Sequence, residues 1–145
     1  MNRDYVSVLR IVIGAGAYAP TRAHETDAGL DLRSPVDVTV SARGSVIIDT
    51  GIHIETPRGM VGFLKSKSGL NINHGIVSEG VIDAGYTGSI VAKLYNLSDK
   101  DYHINAGDKI TQLVILPILE NPQLILVEKL SDTERGTGGF GSTGR

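Results

Sequence analysis

No stretch of a dozen residues in this chain repeats its apolar positions at helical spacing. Short β-type runs alternate with turn signals instead. Val6 to Ile13 is rich in β-branched residues. Asp37–Val40, Gly51–Glu55 and Tyr102–Ile104 alternate polar with apolar, while Ser45–Ile48, Val61–Leu64, Ser89–Tyr95 and Ile110–Ile118 are apolar runs of strand length. The breaks are Ser34-Pro35, Ala42-Arg43-Gly44, Pro57-Arg58-Gly59, Asn105-Ala106-Gly107-Asp108 and Asn121-Pro122, residue types that preset or tolerate turn backbone. Many short strands at close spacing predict an all-β sandwich, jelly roll or barrel. With 145 residues and 41% apolar content the chain supports one core. We find no internal repeat and no linker. After Ser131 apolar side chains become too sparse to hold the backbone in a core, which predicts a β domain over 1–131 and a mobile, glycine-rich tail over 132–145.

Charge and composition exclude several classes of function. The net charge of −2 gives no global attraction for nucleic acid or an anionic membrane, and neither is expected as a partner. Without cysteine there is no disulfide, no thiolate nucleophile and no cysteine-based zinc site. His24, His53, His74 and His103 are scattered without paired ligand spacing and read as surface or hydrogen-bonded strand histidines. No apolar run is long enough to span a bilayer, and the N-terminus lacks the pattern of a secretion signal, so a cytoplasmic protein is expected.

Two glycine motifs match a dinucleotide fingerprint by letter. Gly14-Ala-Gly-Ala-Tyr-Ala19 follows a strand, but no βαβ unit surrounds it, so it reads as a loop after an edge strand. Gly136-Thr-Gly-Gly-Phe-Gly141 has no helix after it either. It does carry Arg135 before it and Ser142-Thr143 behind it, a cation and hydroxyls beside exposed N–H groups that suit phosphate oxygens. Phe140 is a lone large ring on a glycine tether, placed to stack on a planar base.

Four more polar clusters precede that tail: Thr26–Leu32, Ser66-Lys67-Ser68-Gly69-Leu70, Gly80–Gly88 and Gly107–Leu113. Taken singly each reads as a cap or a turn. In this order, and ending in Arg135–Gly144, they resemble the five motifs of the trimeric dUTPases, over about Asp27 to Gly144. The resemblance implies a distorted jelly-roll or β-barrel subunit, a homotrimer, and hydrolysis of dUTP to dUMP and pyrophosphate by water attack on the α-phosphorus.

The resemblance also implies roles. Asp83 would hold and activate the water, as a carboxylate can. Gln112 would lie near the α-phosphate and that water. Tyr86 would pack on the deoxyribose and reject a 2′-hydroxyl by clash. Gly80, Val81 and Ile82 would offer backbone to uracil. Lys67, Ser68 and Gly69 would cradle phosphate oxygens. Arg135, Gly141, Ser142 and Thr143 would close over the β- and γ-phosphates, with Phe140 over the base. Mg²⁺ would ride on the triphosphate and keep its waters, touching Asp31 only through one of them. Lys67 departs from the family's usual arginine, keeping the charge without the bidentate fork. Val77, Ser78 and Glu79 have no secure counterpart, so no base-reading asparagine is assigned.

Two rival readings share the scaffold. The related dCTP deaminases carry a glutamate on the strand after the third motif, where Lys93 stands here. A non-catalytic nucleotide sensor could dispense with Asp83 or the tail, and both are present.

Overall fold

The structure is a computed structural model and describes residues 8–144. Its strands are β1 (Arg10–Ile13), β2 (Gly29–Arg33), β3 (Val38–Val40), β4 (Ser45–Asp49), β5 (Ile52–Glu55), β6 (Met60–Lys65), β7 (Ile76–Ile82), β8 (Val91–Asn96), β9 (Tyr102–Ile104) and β10 (Lys109–Pro117). One helix, α1 (Ser68–His74), lies between β6 and β7. The six strands β2-β10-β6-β7-β8-β4 form a curled antiparallel sheet, with β1-β5 and β3-β9 as separate pairs.

Alternation decides which face is buried. β8 is the clearest case: Ala92, Leu94 and Asn96 point inward while Val91, Lys93 and Tyr95 are exposed. Each small pair packs on one half of the large sheet. Ile52 and Ile54 of β5 meet Leu32, Leu64, Ile82, Ile90 and Leu113. Val40 of β3 and Ile104 of β9 meet Ile48, Ile76, Ala92, Leu94 and Ile110. The register of β10 against β2 slips between Lys109 and Thr111, so adjacent Ile110 and Thr111 are both buried.

The all-β expectation holds, with α1 as an addition. The seven residues of α1 bury no side chain, and Ile72 is 81% exposed, so the helix leaves no apolar stripe in the sequence. Gly75, at φ 66°, ends it in the left-handed region. β2 overlaps the polar motif Thr26–Leu32, and the end of β7 overlaps Gly80–Gly88. The strand expected over Val6–Ile13 is seen from Arg10, and Val6 and Ser7 fall outside the described residues. The turn at Asn105–Asp108 forms as its residues imply: the Asp108 N–H donates to Asn105 O, the Asn105 N–H to Asp108 Oδ2, and Gly107 takes φ 92°.

Beyond Glu120 the hydrogen bonds of the described residues run only within the segment itself. Leu124, Ile125, Leu126 and Val127 stand exposed, Leu126 at 98%. The last ties to the body are the Ile118 N–H to Gly59 O and the Arg58–Glu120 pair at 2.5 Å.

Candidate active site

Strand order converts three distant segments into one cluster. β10 lies between β2 and β6, with Gln112 opposite Asp31 on one side and Lys65 on the other. Lys67, two residues past Lys65, hydrogen-bonds Asp31 Oδ1, and Lys109 Nζ sits 3.2 Å from Asp31 Oδ2. Gln112 Nε2 donates to Ser66 O at 3.0 Å. Gly29 makes room for that glutamine, because a Cβ there would fall 3.0 Å from Gln112 Cβ and closer still to its amide oxygen.

A buried hydroxyl network pins the segment that carries Lys67. The Ser78 N–H donates to Ser66 Oγ at 2.9 Å, Ser78 Oγ meets Thr111 Oγ1 at 3.0 Å, and Thr111 Oγ1 donates to Lys65 O at 3.1 Å. Ser78 and Thr111 are buried, so these bonds form in a low-dielectric setting. Ser78 therefore faces inward with its hydroxyl occupied. Glu79 pairs with Lys65 at 2.5 Å.

Asp31 is buried, which by itself raises a carboxyl pKa; hydrogen bonds and charge from Lys67 and Lys109 outweigh this and hold it below its ordinary value. A depressed folded-state pKa contributes stability above the unfolded value, and that stability is lost as pH falls through the folded one. The window lies below about pH 4. Asp31→Asn is therefore expected to lower the melting temperature near neutrality, with the gap to the parent closing as melts are taken below about pH 4. A gap that stays constant down to the lowest pH would contradict the assignment.

The third motif lies elsewhere. β7 pairs with β8 only from Ile76↔Asn96 to Ser78↔Leu94, and its remaining residues pair with β6. Past Ser78 the β7 and β8 strands splay. The backbone edge of Glu79–Ile82 that faces away from β6 has no strand partner among the described residues. A pocket of about 240 Å³ opens there, lined by Val81, Ile82, Asp83, Tyr86, Ser89 and Val91. Val81 is exposed in it, whereas the Ile82 side chain belongs to the core. Asp83 is exposed, and its carboxylate makes no ion pair or hydrogen bond among the described residues. Gly80 faces inward, with Leu64 side-chain atoms 3.1 Å from where a Cβ would lie.

Tyr86 is fixed within its own loop. Its N–H donates to Asp83 O at 3.0 Å, and its hydroxyl donates to Ser89 O at 2.8 Å, folding the ring over Gly88. A Cβ at residue 88 would fall 2.5 Å from Tyr86 Cζ. Glycine at 88 is thus a condition of the ring's position.

Among the described residues the other candidates share no hydrogen bond with either cluster. Ser68 and Gly69 open α1, are exposed, and face open space. In the tail, Arg135 Nε donates to Gly138 O at 2.8 Å, and Arg135, Ser142 and Thr143 line a hollow formed by tail residues alone. Gly141 and Phe140 both take positive φ, and Phe140 is fully exposed.

Lys109 and Gly88 stand inside recognised motifs without an assigned role in the sequence. Lys109 needed the β2–β10 pairing to gain its partner, and Gly88 needed the ring position of Tyr86.

A family model described as dUTPase matches residues 16–144. The chain belongs to the dUTPase family. A deoxyuridine 5′-triphosphate nucleotidohydrolase of Kluyveromyces lactis is 42% identical over 132 residues, covering 90% of this chain and 89% of that protein. The one from Paramecium bursaria Chlorella virus 1 is 46% identical over 129 residues, covering 88% and 91%. Among solved structures, a mutant of the Staphylococcus bacteriophage 80alpha dUTPase with dUpNHpp superposes with a TM-score of 0.85 at 32% identity, covering 96% of this chain and 99% of that one. A mutant dUTPase from phage phi11 of S. aureus, described as revealing the coordination of a structural Mg(II) ion, gives a TM-score of 0.77 at 31% identity, covering 84% and 97%.

Proposed function

We propose that this dUTPase hydrolyses dUTP to dUMP and pyrophosphate through the residues just described, with Asp83 activating the attacking water. The observation that carries the reading is the splay of β7 from β8. It leaves an unpaired backbone edge at Gly80–Ile82 beside an exposed, unpartnered carboxylate and a fixed tyrosine ring. A free strand edge can pair with the polar edge of a uracil and leave no room for a methyl group. The Tyr86 ring, held by Ser89, is a wall against a ribose 2′-hydroxyl. Asp83, which pairs with no cation among the described residues, can take a proton from water.

Lys67, Lys109, Gln112, Ser68 and Gly69 form the complementary half, for the phosphates. Lys67 supplies charge to phosphate oxygens, and the exposed N–H groups of Ser68 and Gly69 supply directed bonds. Gln112 would orient the water near the α-phosphate, and the tail residues Arg135, Gly141, Ser142 and Thr143 would cover the outer phosphates, with Phe140 on the base. No group of three or more His, Asp or Glu able to hold a metal ion occurs among the described residues. Both Asp31 oxygens already face lysines, so a hydrated Mg²⁺ carried in by the triphosphate would meet Asp31 only through a water. When bound, that ion would neutralise phosphate charge.

The same geometry supports a site shared between subunits, which the family resemblance makes a homotrimer. Asp83 lies two strands across and about four residues along from Gln112, roughly 15 Å between Cα atoms. Two side chains so far apart cannot both reach one phosphorus within a chain. Asp83 of one subunit facing Gln112 of another resolves this. Ile110 and Leu113, at the start of β10, are buried in the subunit's own core, so exposed Leu116, Ile118 and Leu124–Val127 are the surface left for neighbours. Light scattering is expected to give three times the chain mass, and a fully active monomer would refute the composite site. A nucleoside triphosphate is an intracellular solute, so cytoplasmic action is part of the same proposal.

The direct test is to supply each deoxynucleoside triphosphate with Mg²⁺ and follow pyrophosphate. Release from dUTP alone is expected; ammonia from dCTP would favour the deaminase reading instead. Gly88→Ala should displace the Tyr86 ring and lower kcat/KM for dUTP by about 10²-fold. An unaltered kcat/KM would show that the ring position does not matter.

A further inference from the structure

The loop that presents Asp83 and Tyr86 is not self-supporting. It runs from Asp83 to Ser89 with a glycine at 85 and another at 88, and its residues are largely exposed. Backbone of this kind samples many conformations unless something external restrains it. Within the loop, the Tyr86 N–H and hydroxyl bonds define the turn but attach it to nothing else.

The attachment comes from β4 and β5. Thr87 O accepts a hydrogen bond from His53 Nδ1 at 2.8 Å. A carbonyl only accepts, so Nδ1 must carry the proton. His53 alternates along β5 with Ile52 and Ile54, both buried in the core, so the imidazole projects from a rigid support. Two residues beyond Thr87, Ser89 Oγ donates to Asp49 Oδ1, which also accepts the Gly51 N–H at 2.9 Å. The loop is thus held on both flanks of Tyr86, by His53 at Thr87 and by Asp49 at Ser89. Ser89 is also the residue whose carbonyl receives the tyrosine hydroxyl.

We propose that His53 is a positioning residue for sugar discrimination. Through Thr87 it fixes the loop so that the Tyr86 ring stays against the deoxyribose and closes the space a 2′-hydroxyl would need. The inference rests on the reading of Tyr86 given above. His53 touches no substrate; it acts through the loop.

The ratio of kcat/KM for dUTP to that for UTP is the measurement, because general destabilisation would not change it. His53→Ala is expected to lower the ratio about three- to tenfold, the worth of one net hydrogen bond, chiefly by lowering KM for UTP as the space for a 2′-hydroxyl opens, with kcat for dUTP little changed. His53→Asn places an amide nitrogen where Nδ1 stands and should restore most of the ratio. A parental ratio in His53→Ala, or His53→Asn no better than His53→Ala, overturns the inference. Tyr86→Ala run in parallel separates the two readings. If it collapses the ratio while His53→Ala does not, only the role of His53 fails; if it leaves the ratio unchanged, the reading of Tyr86 fails and this inference with it. A further check needs no variant: nitrogen–proton correlation spectra of the parent near pH 8 should show His53 as the Nδ1–H tautomer, and the Nε2–H tautomer would overturn the proposal.

Discussion

Asp83→Asn is expected to leave dUTP binding close to parental and to reduce hydrolysis by about 10²–10⁴-fold, the usual contribution of general acid–base assistance. The variant keeps the shape of the side chain and removes its basicity. Little else should change, because the Asp83 carboxylate makes no ion pair or hydrogen bond among the described residues whose loss would disturb the fold. Val81 and Tyr86, which line the pocket with it, belong to β7 and to a loop anchored by His53 at Thr87 and by Asp49 at Ser89. Binding by calorimetry with a non-hydrolysable analogue and turnover by pyrophosphate release read the two effects separately. Turnover within a few-fold of the parent would remove Asp83 from the mechanism; lost binding with it would recast Asp83 as a substrate anchor.

Deleting everything after Ser131 should be nearly as damaging to turnover and nearly silent for folding. The deleted segment holds one large apolar side chain, Phe140, which is fully exposed. Among the described residues its hydrogen bonds run within the segment, apart from one between Asp132 and the neighbouring Lys129. The melting temperature without ligand should therefore move little. The segment also holds Arg135, Phe140, Ser142 and Thr143. Ordering so glycine-rich a stretch costs roughly 1–2 kcal/mol per fixed residue. That cost is best offset when charge concentrates on the phosphates, so closure favours the transition state over bound substrate. Closure also shuts out bulk water. Truncation should lower kcat by about 10²-fold or more, with a smaller loss of dUTP affinity; Phe140→Ala alone should do less. Parental turnover in the truncated protein would reduce the tail to an ordinary solvated terminus.

The sequence by itself determined the fold class and the family. Strand alternation in segments such as Val91–Asn96, and turn residues such as Asn105–Asp108, are local signals that the folded chain obeys. The five motifs are contiguous, so their order could be recognised without knowing where they lie in space. Only the tertiary structure decided what depends on pairing between distant strands. Placing β10 between β2 and β6 brings Lys109 to Asp31 and buries Ser78 against Thr111. The partial pairing of β7 with β8 opens the pocket, and the β10-β6-β7 register separates Asp83 from Gln112. His53 gains its partner only because β5 passes beneath the Asp83–Ser89 loop, thirty-four positions further along the chain. The physical reason is that a side chain's periodicity and turn chemistry are set by its immediate neighbours. Its partner, burial and charge environment are set by residues that sheet order brings beside it, which is why strand preferences depend so strongly on context.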